Sequence, residues 1–262
     1  MKHILFSDLD GTLIKEGHQE IHRKNFEMMR ELQNQGHVVV LSTGRNNVDI
    51  LPTLKHNNIP YDYLILSNGG LILDKNHKII IENKIPTDIA KKLLKIIIEN
   101  KELSTYFSNG HECIGFKEGN VRLLTKDGLK DTNENVMSFI DNSNTFHIIG
   151  INQINMKIDL LNKLIEEHLE PLKDNLSWCF NLQYVDIIPH NCSKGSGVKL
   201  LMEYLNIPES KSHTIGDSFN DISMFEMSDY SYTFNHAEEV IKNSAKKTVN
   251  YVYEVCQEIL EK

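Results

Sequence analysis

The stretch that decides the fold is HILFSDLDGT, residues 3–12, in which an apolar run leads directly into two acidic residues and a glycine turn. Residues 4–7 have the length and composition of a short buried strand. Asp8 and Asp10 follow this strand at once, and carboxylates are costly to place beside a buried element. A site that binds a cation and attacks an electrophile needs such a pair, so the stretch favours a functional strand end.

Two simpler interpretations of the Asp-x-Asp-Gly pattern remain open at this point. Asp and Gly are common turn residues, so the pattern fits an ordinary loop. It also fits the start of a calcium-binding EF-hand loop, which needs Glu at its twelfth position and a helix on each side. Counted from Asp8, that position holds Gln19. The preceding residues have the pattern of a strand, so a calcium loop is disfavoured.

Composition restricts the classes of protein that the chain can belong to. The 262 residues are 40% hydrophobic and 24% charged, with a formal net charge of −8, which is ordinary for a globular protein and disfavours a general nucleic-acid binder. The sequence has no apolar run long enough to span a membrane. A strand beginning at residue 4 leaves no room for a signal peptide, so we expect a cytoplasmic location. The four cysteines and twelve histidines lack metal-binding spacings.

Strand and helix patterns alternate outward from the first strand. This β-α-β-α-β order predicts an α/β fold with a doubly wound, mostly parallel, Rossmann-like sheet. Strand patterns cover residues 4–7, 38–41 and 63–66, helical patterns cover 23–35 and 46–57, and a hairpin pattern covers 71–81.

The pattern changes between residues 84 and 186, where a helix, several alternating segments and a second helix, 157–169, predict an inserted α+β domain. Strand and helix alternation resumes afterwards, with helices expected at 197–205, 221–227 and 237–246. The predicted core therefore consists of residues 1–83 and 187–262.

Polar clusters lie at four strand ends of this predicted core. Loops at the carboxyl ends of the strands of a doubly wound sheet gather at one edge, so the four clusters should meet there. The clusters are DLDGT (8–12), STGR (42–45), NCSKG (191–195) and GDSFND (216–221).

Two of these clusters have plain interpretations when each is taken alone. The hydroxyl and amide groups around Thr43 and Gly44 suit phosphate oxygens, but Ser/Thr-Gly also makes an ordinary helix cap. Lys194 could hold an anion, although a lysine at a helix start is usually exposed. Two acids and an amide within residues 216–221 are harder to explain as a turn.

Together, the four clusters resemble the four motifs of the haloacid dehalogenase-like (HAD) phosphatase superfamily, in the same order. The position of the insert resembles the subclass with a C2-type (IIB) cap. STGR, SNGG (67–70), VDIIP (185–189) and SKG (193–195) are similar to Cof-type sugar-phosphate phosphatases. One departure is YVY at 251–253, where relatives usually carry Asp-Gly-Val.

The resemblance implies a role for each matching residue. Asp8 would be the nucleophile that forms an aspartyl-phosphate, and Asp10 would be the general acid and base. The implied Mg²⁺ ligands are Asp8, Asp10 through its carbonyl group, and Asp217, with Asp221 acting from outside the direct ligand set. The implied phosphate-binding residues are Thr43, Gly44, Lys194 and Asn220.

The expected function is Mg²⁺-dependent hydrolysis of a small phosphomonoester, with a sugar phosphate as the expected substrate. A phosphomutase, a nucleotide or cofactor-phosphate phosphatase, and a catalytically silent binding protein remain as alternatives. We expect a small phosphorylated metabolite as the partner, no nucleic acid or membrane, and a monomer or weak homodimer. The insert, 84–186, would act as a cap that sets substrate specificity, with Tyr106, Arg122, His147 and Trp178 as candidate lining residues.

Overall fold

The computed structural model describes residues 2–14, 22–153, 158–181 and 184–262. Gln19 and Lys157, which entered the sequence predictions, lie outside these ranges. Contacts within the chain define two compact units. The first contains residues 1–43, 58–82 and 193–262, and the second contains 44–57 and 83–192.

The secondary structure alternates as the sequence pattern predicts. The strands are β1 Ile4–Ser7, β2 Val38–Ser42, β3 Tyr63–Leu66, β4 Leu71–Asp74, β5 Ile79–Glu82, β6 Leu103–Ser108, β7 Cys113–Lys117, β8 Asn120–Thr125, β9 Gly128–Thr132, β10 Ile148–Gln153, β11 Leu176–Asn181, β12 Tyr184–Pro189, β13 Ser212–Ile215, β14 Tyr230–Phe234 and β15 Lys247–Val249. The helices are α1 Arg23–Asn34, α2 Asn47–Asn57, α3 Thr87–Glu99, α4 Val136–Asn142, α5 Ile158–Leu164, α6 Lys194–Leu205, α7 Ile222–Phe225, α8 Glu239–Ser244 and α9 Val252–Leu260.

The first unit is built on an eight-stranded sheet with the order β15-β14-β13-β1-β2-β3-β4-β5. The six strands from β15 to β3 are parallel, and β4 and β5 form the antiparallel hairpin that the sequence predicted. Ile4 pairs with Ser212 on one side and with Val38 on the other, so β1 lies in the middle of the sheet. The prediction of a doubly wound, mostly parallel core sheet is confirmed.

Helices cover both faces of this sheet. Every residue of β1 and β2 is buried, and successive side chains of a strand point to opposite faces, so neither face is open at these strands. Phe26, Met29 and Leu32 form the buried face of α1, as their spacing predicted, and α1 packs against α9. Helix α6 packs against β2, β3 and β4.

The second unit is an antiparallel sheet with helices against one face. Its seven strands have the order β11-β12-β10-β6-β7-β8-β9. Alternate residues of the central strands, such as Phe107 and Ile149, join apolar residues of α3, α4 and α5 in one buried cluster. The unit therefore has an α+β core of its own.

The second unit, as defined by contacts within the chain, ends later than the predicted insert. The prediction ended the insert at residue 186, within β12. All of β12 pairs with β11 and its first four residues pair with β10, and the second unit extends to residue 192. The second unit also includes residues 44–57, which contain α2.

Some predicted elements differ from the structure in extent. The helix expected at 237–246 ends at Ser244 and is followed by β15. This strand was not predicted, because Lys246 and Lys247 suggest an exposed helix face. Strands β8 and β9 were missed for a similar reason, since most of their residues are polar or partly exposed. Edge strands such as β9 and β15 are often polar, because charge there prevents pairing with other chains.

Among the described residues, no helix combines the length and apolar character needed to cross a bilayer.

Candidate active site

Asp8 lies at the carboxyl end of β1, in the middle of the first sheet. Its backbone N–H donates to the carbonyl oxygen of Ile215 at 2.9 Å, so β1 is joined to the end of β13 at this point. The Asp8 side chain is almost fully buried. Gly11 turns the chain after it with φ +84°, and a Cβ there would lie 2.2 Å from a carboxylate oxygen of Asp217. Only glycine permits this close approach, which brings the two motifs together.

Lys194 bridges two carboxylates at the start of α6. Its Nζ lies 2.6 Å from Oδ1 of Asp8 and 2.6 Å from Oδ1 of Asp221, and its side chain is 2% exposed. Ser193 caps this helix, because its Oγ accepts from the N–H of Ser196 while the Ser196 hydroxyl lies 2.9 Å from the Ser193 N–H. The cap begins the helix at Lys194 and so fixes where the ammonium group enters the site.

The loop after β13 holds two further carboxylates. Asp217 Oδ1 accepts from the Thr12 hydroxyl at 2.8 Å. Asp221 Oδ2 accepts from the backbone N–H groups of Asp217 and Ser218, both at 3.0 Å. With Oδ1 bound to Lys194, both oxygens of Asp221 therefore have protein donors. This arrangement suits a residue that organises the site rather than one that reacts.

Burial and neighbouring charges shift the pKa values in this network. Burial raises the pKa of Asp8 well above its ordinary value, and Asp221 and Asp217 add to the rise while Lys194 opposes it. Burial also raises the pKa of Asp217. Burial alone would lower the pKa of Lys194, but the adjacent Asp221 and Asp8 carboxylates outweigh it and raise that pKa. Lys194 is therefore a fixed cation, and the cluster favours additional positive charge.

The carboxylates of this cluster could hold a metal ion. One oxygen from each of Asp8, Asp217 and Asp221 lies within 4.8 Å of the others. Oδ2 of Asp8 is buried and has no hydrogen-bond partner in the described part of the chain. A buried carboxylate oxygen of this kind is costly unless a cation or donor meets it. The oxygen-only ligand set suits a hard divalent cation.

Thr43 and Asn220 lie in the same unit as this cluster. Thr43 follows β2, and its N–H donates to the carbonyl oxygen of Ile65 at 2.9 Å. The Asn220 side chain accepts from the Ser218 hydroxyl at 2.7 Å and donates to Oδ1 of Asn68 at 3.2 Å.

The structure joins four of the predicted site residues directly, namely Asp8, Lys194, Asp217 and Asp221. Asp10 lies in the turn two residues beyond Asp8. Gly44 is assigned to the second unit, one residue past the division, so its phosphate-binding role stays a prediction.

Three further residues of the quoted motifs contact the site although no role was predicted for them, namely Thr12, Ser218 and Asn68. Thr12 donates to Asp217, Ser218 donates to Asn220, and Asn68 accepts from Asn220. Short hydroxyl and amide side chains beside a predicted acid or amide are the signal that could have identified them.

Candidate specificity residues lie in the second unit. A groove of about 730 Å³ is lined by Tyr106, Arg122 and Tyr184, among others. The Tyr106 hydroxyl donates to Oδ1 of Asp186 at 2.8 Å, and its ring fills the space where a Cβ at Gly150 would lie. Trp178 instead packs against the apolar cluster of this unit.

Residues 5–256 match the family model of the haloacid dehalogenase-like hydrolases, so the chain belongs to this family. The match covers both units, and it agrees with the four motifs and with the carboxylate–lysine network.

Several proteins that match nearly the full length of the chain are named phosphatases. Phosphatase YwpJ of Bacillus subtilis is 26% identical over 266 residues, which covers 91% of this chain and 91% of that protein. The 5-amino-6-(5-phospho-D-ribitylamino)uracil phosphatase YwtE of Bacillus subtilis is 24% identical over 261 residues, with 91% of this chain and 89% of that protein covered.

A solved structure shows the same fold. A haloacid dehalogenase-like hydrolase from Bacteroides thetaiotaomicron superposes with a TM-score of 0.80 at 20% identity, and covers 100% of this chain and 99% of its own. The protein is a HAD phosphatase of the Cof type, a phosphoric monoester hydrolase, as its motifs predicted.

Proposed function

We propose that the protein is a Mg²⁺-dependent phosphatase that hydrolyses a small sugar phosphate through an aspartyl-phosphate on Asp8. The observation that carries this proposal is the difference in contacts between the two carboxylate oxygens of Asp8. Lys194 holds Oδ1 at 2.6 Å, while Oδ2 is buried without a hydrogen-bond partner in the described part of the chain. A nucleophile held at one oxygen keeps the other oriented for reaction.

The first step transfers the phosphoryl group to Asp8. A carboxylate oxygen of Asp8 attacks phosphorus, and the bond between phosphorus and the sugar oxygen breaks. Asp10 gives its proton to the departing alkoxide, so that a neutral alcohol leaves. Lys194 faces the negative charge on the phosphoryl oxygens, with Thr43, Gly44 and Asn220 as further donors. Mg²⁺, held by Asp8, Asp217 and the Asp10 carbonyl, would supply charge neutralisation at the phosphoryl group.

The second step releases phosphate. Asp10, now ionised, accepts a proton from a water molecule as that water attacks phosphorus. The bond between phosphorus and the Asp8 oxygen breaks, which restores the Asp8 carboxylate and releases inorganic phosphate. Both acids end in their starting states, so the cycle is closed.

The choice of a sugar-like substrate has support from one relative. The phosphatase YwtE acts, by its name, on a phosphorylated ribityl group, in which a primary alcohol of a sugar alcohol carries the phosphate. An alkyl alcohol is a poor leaving group, so a general acid such as Asp10 is needed. We expect the segment 84–186 to select the substrate as a cap, and the protein to work as a monomer or weak homodimer in the cytoplasm.

The proposal is tested with Asp8→Asn on an aryl phosphate, compared with Asp229→Asn, which changes an exposed aspartate of the same unit. We expect Asp8→Asn to lower kcat on the order of 10⁴-fold, because the amide cannot attack phosphorus. Asp229→Asn should match the parent protein. Excess chelator should abolish activity, and Mg²⁺ should restore it. Full activity of Asp8→Asn, or of the chelated enzyme, contradicts the mechanism.

A substrate panel separates the remaining alternatives. Phosphate release from sugar phosphates, nucleotides and pyridoxal phosphate distinguishes the substrate classes. A mutase would return an isomeric sugar phosphate and little inorganic phosphate.

A further inference from the structure

The turn after β3 has an unusual backbone. Ser67, Asn68 and Gly69 have φ values of +51°, +49° and +92° in succession. Left-handed backbone is uncommon outside glycine, and two neighbouring non-glycine residues that adopt it need surrounding structure to hold them. Ser67 and Asn68 are each only 1% exposed, so the turn is held inside the first unit.

Two contacts fix this turn beside the catalytic cluster. The Asn68 N–H donates to the carbonyl oxygen of Thr43 at 3.2 Å, which ties the turn to the end of β2. A Cβ on Gly69 would lie 2.1 Å from the carbonyl oxygen of Ser193, the residue that caps α6. The turn therefore packs directly against the helix start that carries Lys194.

The Asn68 side chain extends from this turn and contacts the side chain of Asn220. Asn68 Oδ1 accepts from Nδ2 of Asn220 at 3.2 Å, and the Ser218 hydroxyl lies 2.7 Å from Oδ1 of Asn220. The Asn220 carboxamide is thus held at both ends. An amide nitrogen has two hydrogens, so one donor of Asn220 remains for a further acceptor.

We propose that Asn68 is a positioning residue that fixes the Asn220 carboxamide so that its second N–H faces a phosphoryl oxygen. Without Asn68 the carboxamide can turn over about its last side-chain bond and present its oxygen, which an anionic phosphoryl group repels. The inference rests on the proposed function, because Asn220 must contact the phosphoryl group.

The variant Asn68→Gly removes this side chain and keeps the left-handed backbone, which glycine adopts readily. Asn206→Gly is the matched control, since Asn206 has φ +52° at the C-terminal end of α6 and is exposed. We expect Asn68→Gly to raise KM for an aryl phosphate and Ki for inorganic phosphate about tenfold, with kcat within about threefold of the parent. A contact kept in both the bound and transition states changes KM and leaves kcat nearly constant. The control should change none of them.

A double-mutant cycle with Asn220→Ala separates positioning from a general structural effect. If Asn68 acts through Asn220, adding Asn68→Gly to Asn220→Ala should raise Ki for phosphate no further. Effects that multiply in the double variant, or an unchanged Ki in Asn68→Gly, overturn the proposal.

Two further outcomes keep the test decisive. If Asn68→Gly does not fold, Asn68→Ser takes its place, because Ser67 shows that this turn holds serine in a left-handed conformation, and the shorter side chain loses the contact with Asn220. If the parent protein hydrolyses no phosphomonoester, the proposed function itself fails. An active parent with a multiplicative cycle rejects only the role of Asn68.

Discussion

At the scale of single residues, Lys194 supplies the positive charge that allows the acidic cluster to be buried. Its ammonium group is shared by Asp8 and Asp221, and all three side chains are almost inaccessible to solvent. Removing one partner of a buried ion pair leaves uncompensated charge, which costs about 3–5 kcal/mol.

Lys194→Met keeps the length of the side chain and removes its charge. We expect this variant to lower the free energy of unfolding by about 3 kcal/mol, as measured by urea denaturation in the presence of chelator. Lys246→Met is the control, because Lys246 makes an exposed ion pair with Asp229, and such pairs contribute about 1 kcal/mol or less. Equal losses in the two variants would show that the bridge does not hold the cluster.

The sequence was sufficient to predict the members of the cluster but not their contacts. Asp8, Asp217 and Asp221 each follow a predicted strand, and parallel topology brings strand ends together. The double bridge of Lys194 and the two-ended hold on Asn220 depend on side-chain conformations that neighbouring segments impose. A linear pattern does not contain those neighbours.

At the scale of elements, a buried histidine pair lies near the amino-terminal ends of β1 and β13, away from the ends that carry the acidic cluster. His3 Nδ1 lies 3.1 Å from His213 Nε2, and both side chains are at most 2% exposed. Burial, with Lys211 and His37 nearby, lowers the pKa of His3 to about 4. Burial, with Lys262 nearby, lowers the pKa of His213 to about 3.

This pair should make stability fall as the pH decreases. Above the unfolded pKa of about 6.5, both states are neutral and the pair has no pH effect. Below it, the unfolded chain binds protons that the folded protein does not bind, so the free energy of unfolding should fall by about 2 kcal/mol by pH 5. Urea denaturation from pH 8 to pH 5 measures the slope.

His213→Gln should reduce that slope, and His56→Gln, which changes an exposed histidine, should leave it unchanged. The same slope in the parent protein and in His213→Gln would show that the pH dependence has another source.

Two of the strands that the sequence did not predict, β9 and β15, share a physical property. The central strands β1 and β2 were predicted because burial on both faces demands a continuous apolar run. Strands β9 and β15 lie at sheet edges and bury little, so they carry no such run. Their positions are set by pairing with a neighbour.

At the scale of the whole molecule, the role of the second unit can be tested by deletion. Deletion of residues 83–192, with a short Gly/Ser linker in their place, should leave a folded first unit that hydrolyses aryl phosphate but no longer ranks larger substrates as the parent does. The variant that lacks only residues 84–186 should be less soluble, because Ile187 and Ile188 of β12 would lose the strands that bury them. Size-exclusion chromatography, circular dichroism and phosphate release from a substrate panel measure these outcomes. A truncated protein that keeps the parent's substrate ranking would show that the second unit does not set specificity.

The central position of β1 has a consequence for biosynthesis. The paired strands β1 and β13 are far apart in the chain, since His3, directly before β1, and His213, within β13, are separated by 210 residues. At roughly 5–20 residues per second, a ribosome needs roughly 10–40 s between making the two strands. During that interval, the edge of β1 that will pair with β13 has no partner, although β1 is strongly apolar. The continuous segment 83–192 of the second unit is completed before β13 is made. The second unit should therefore fold before residues 193–262 complete the first unit. In the meantime β1 should be the segment that chaperones protect from aggregation.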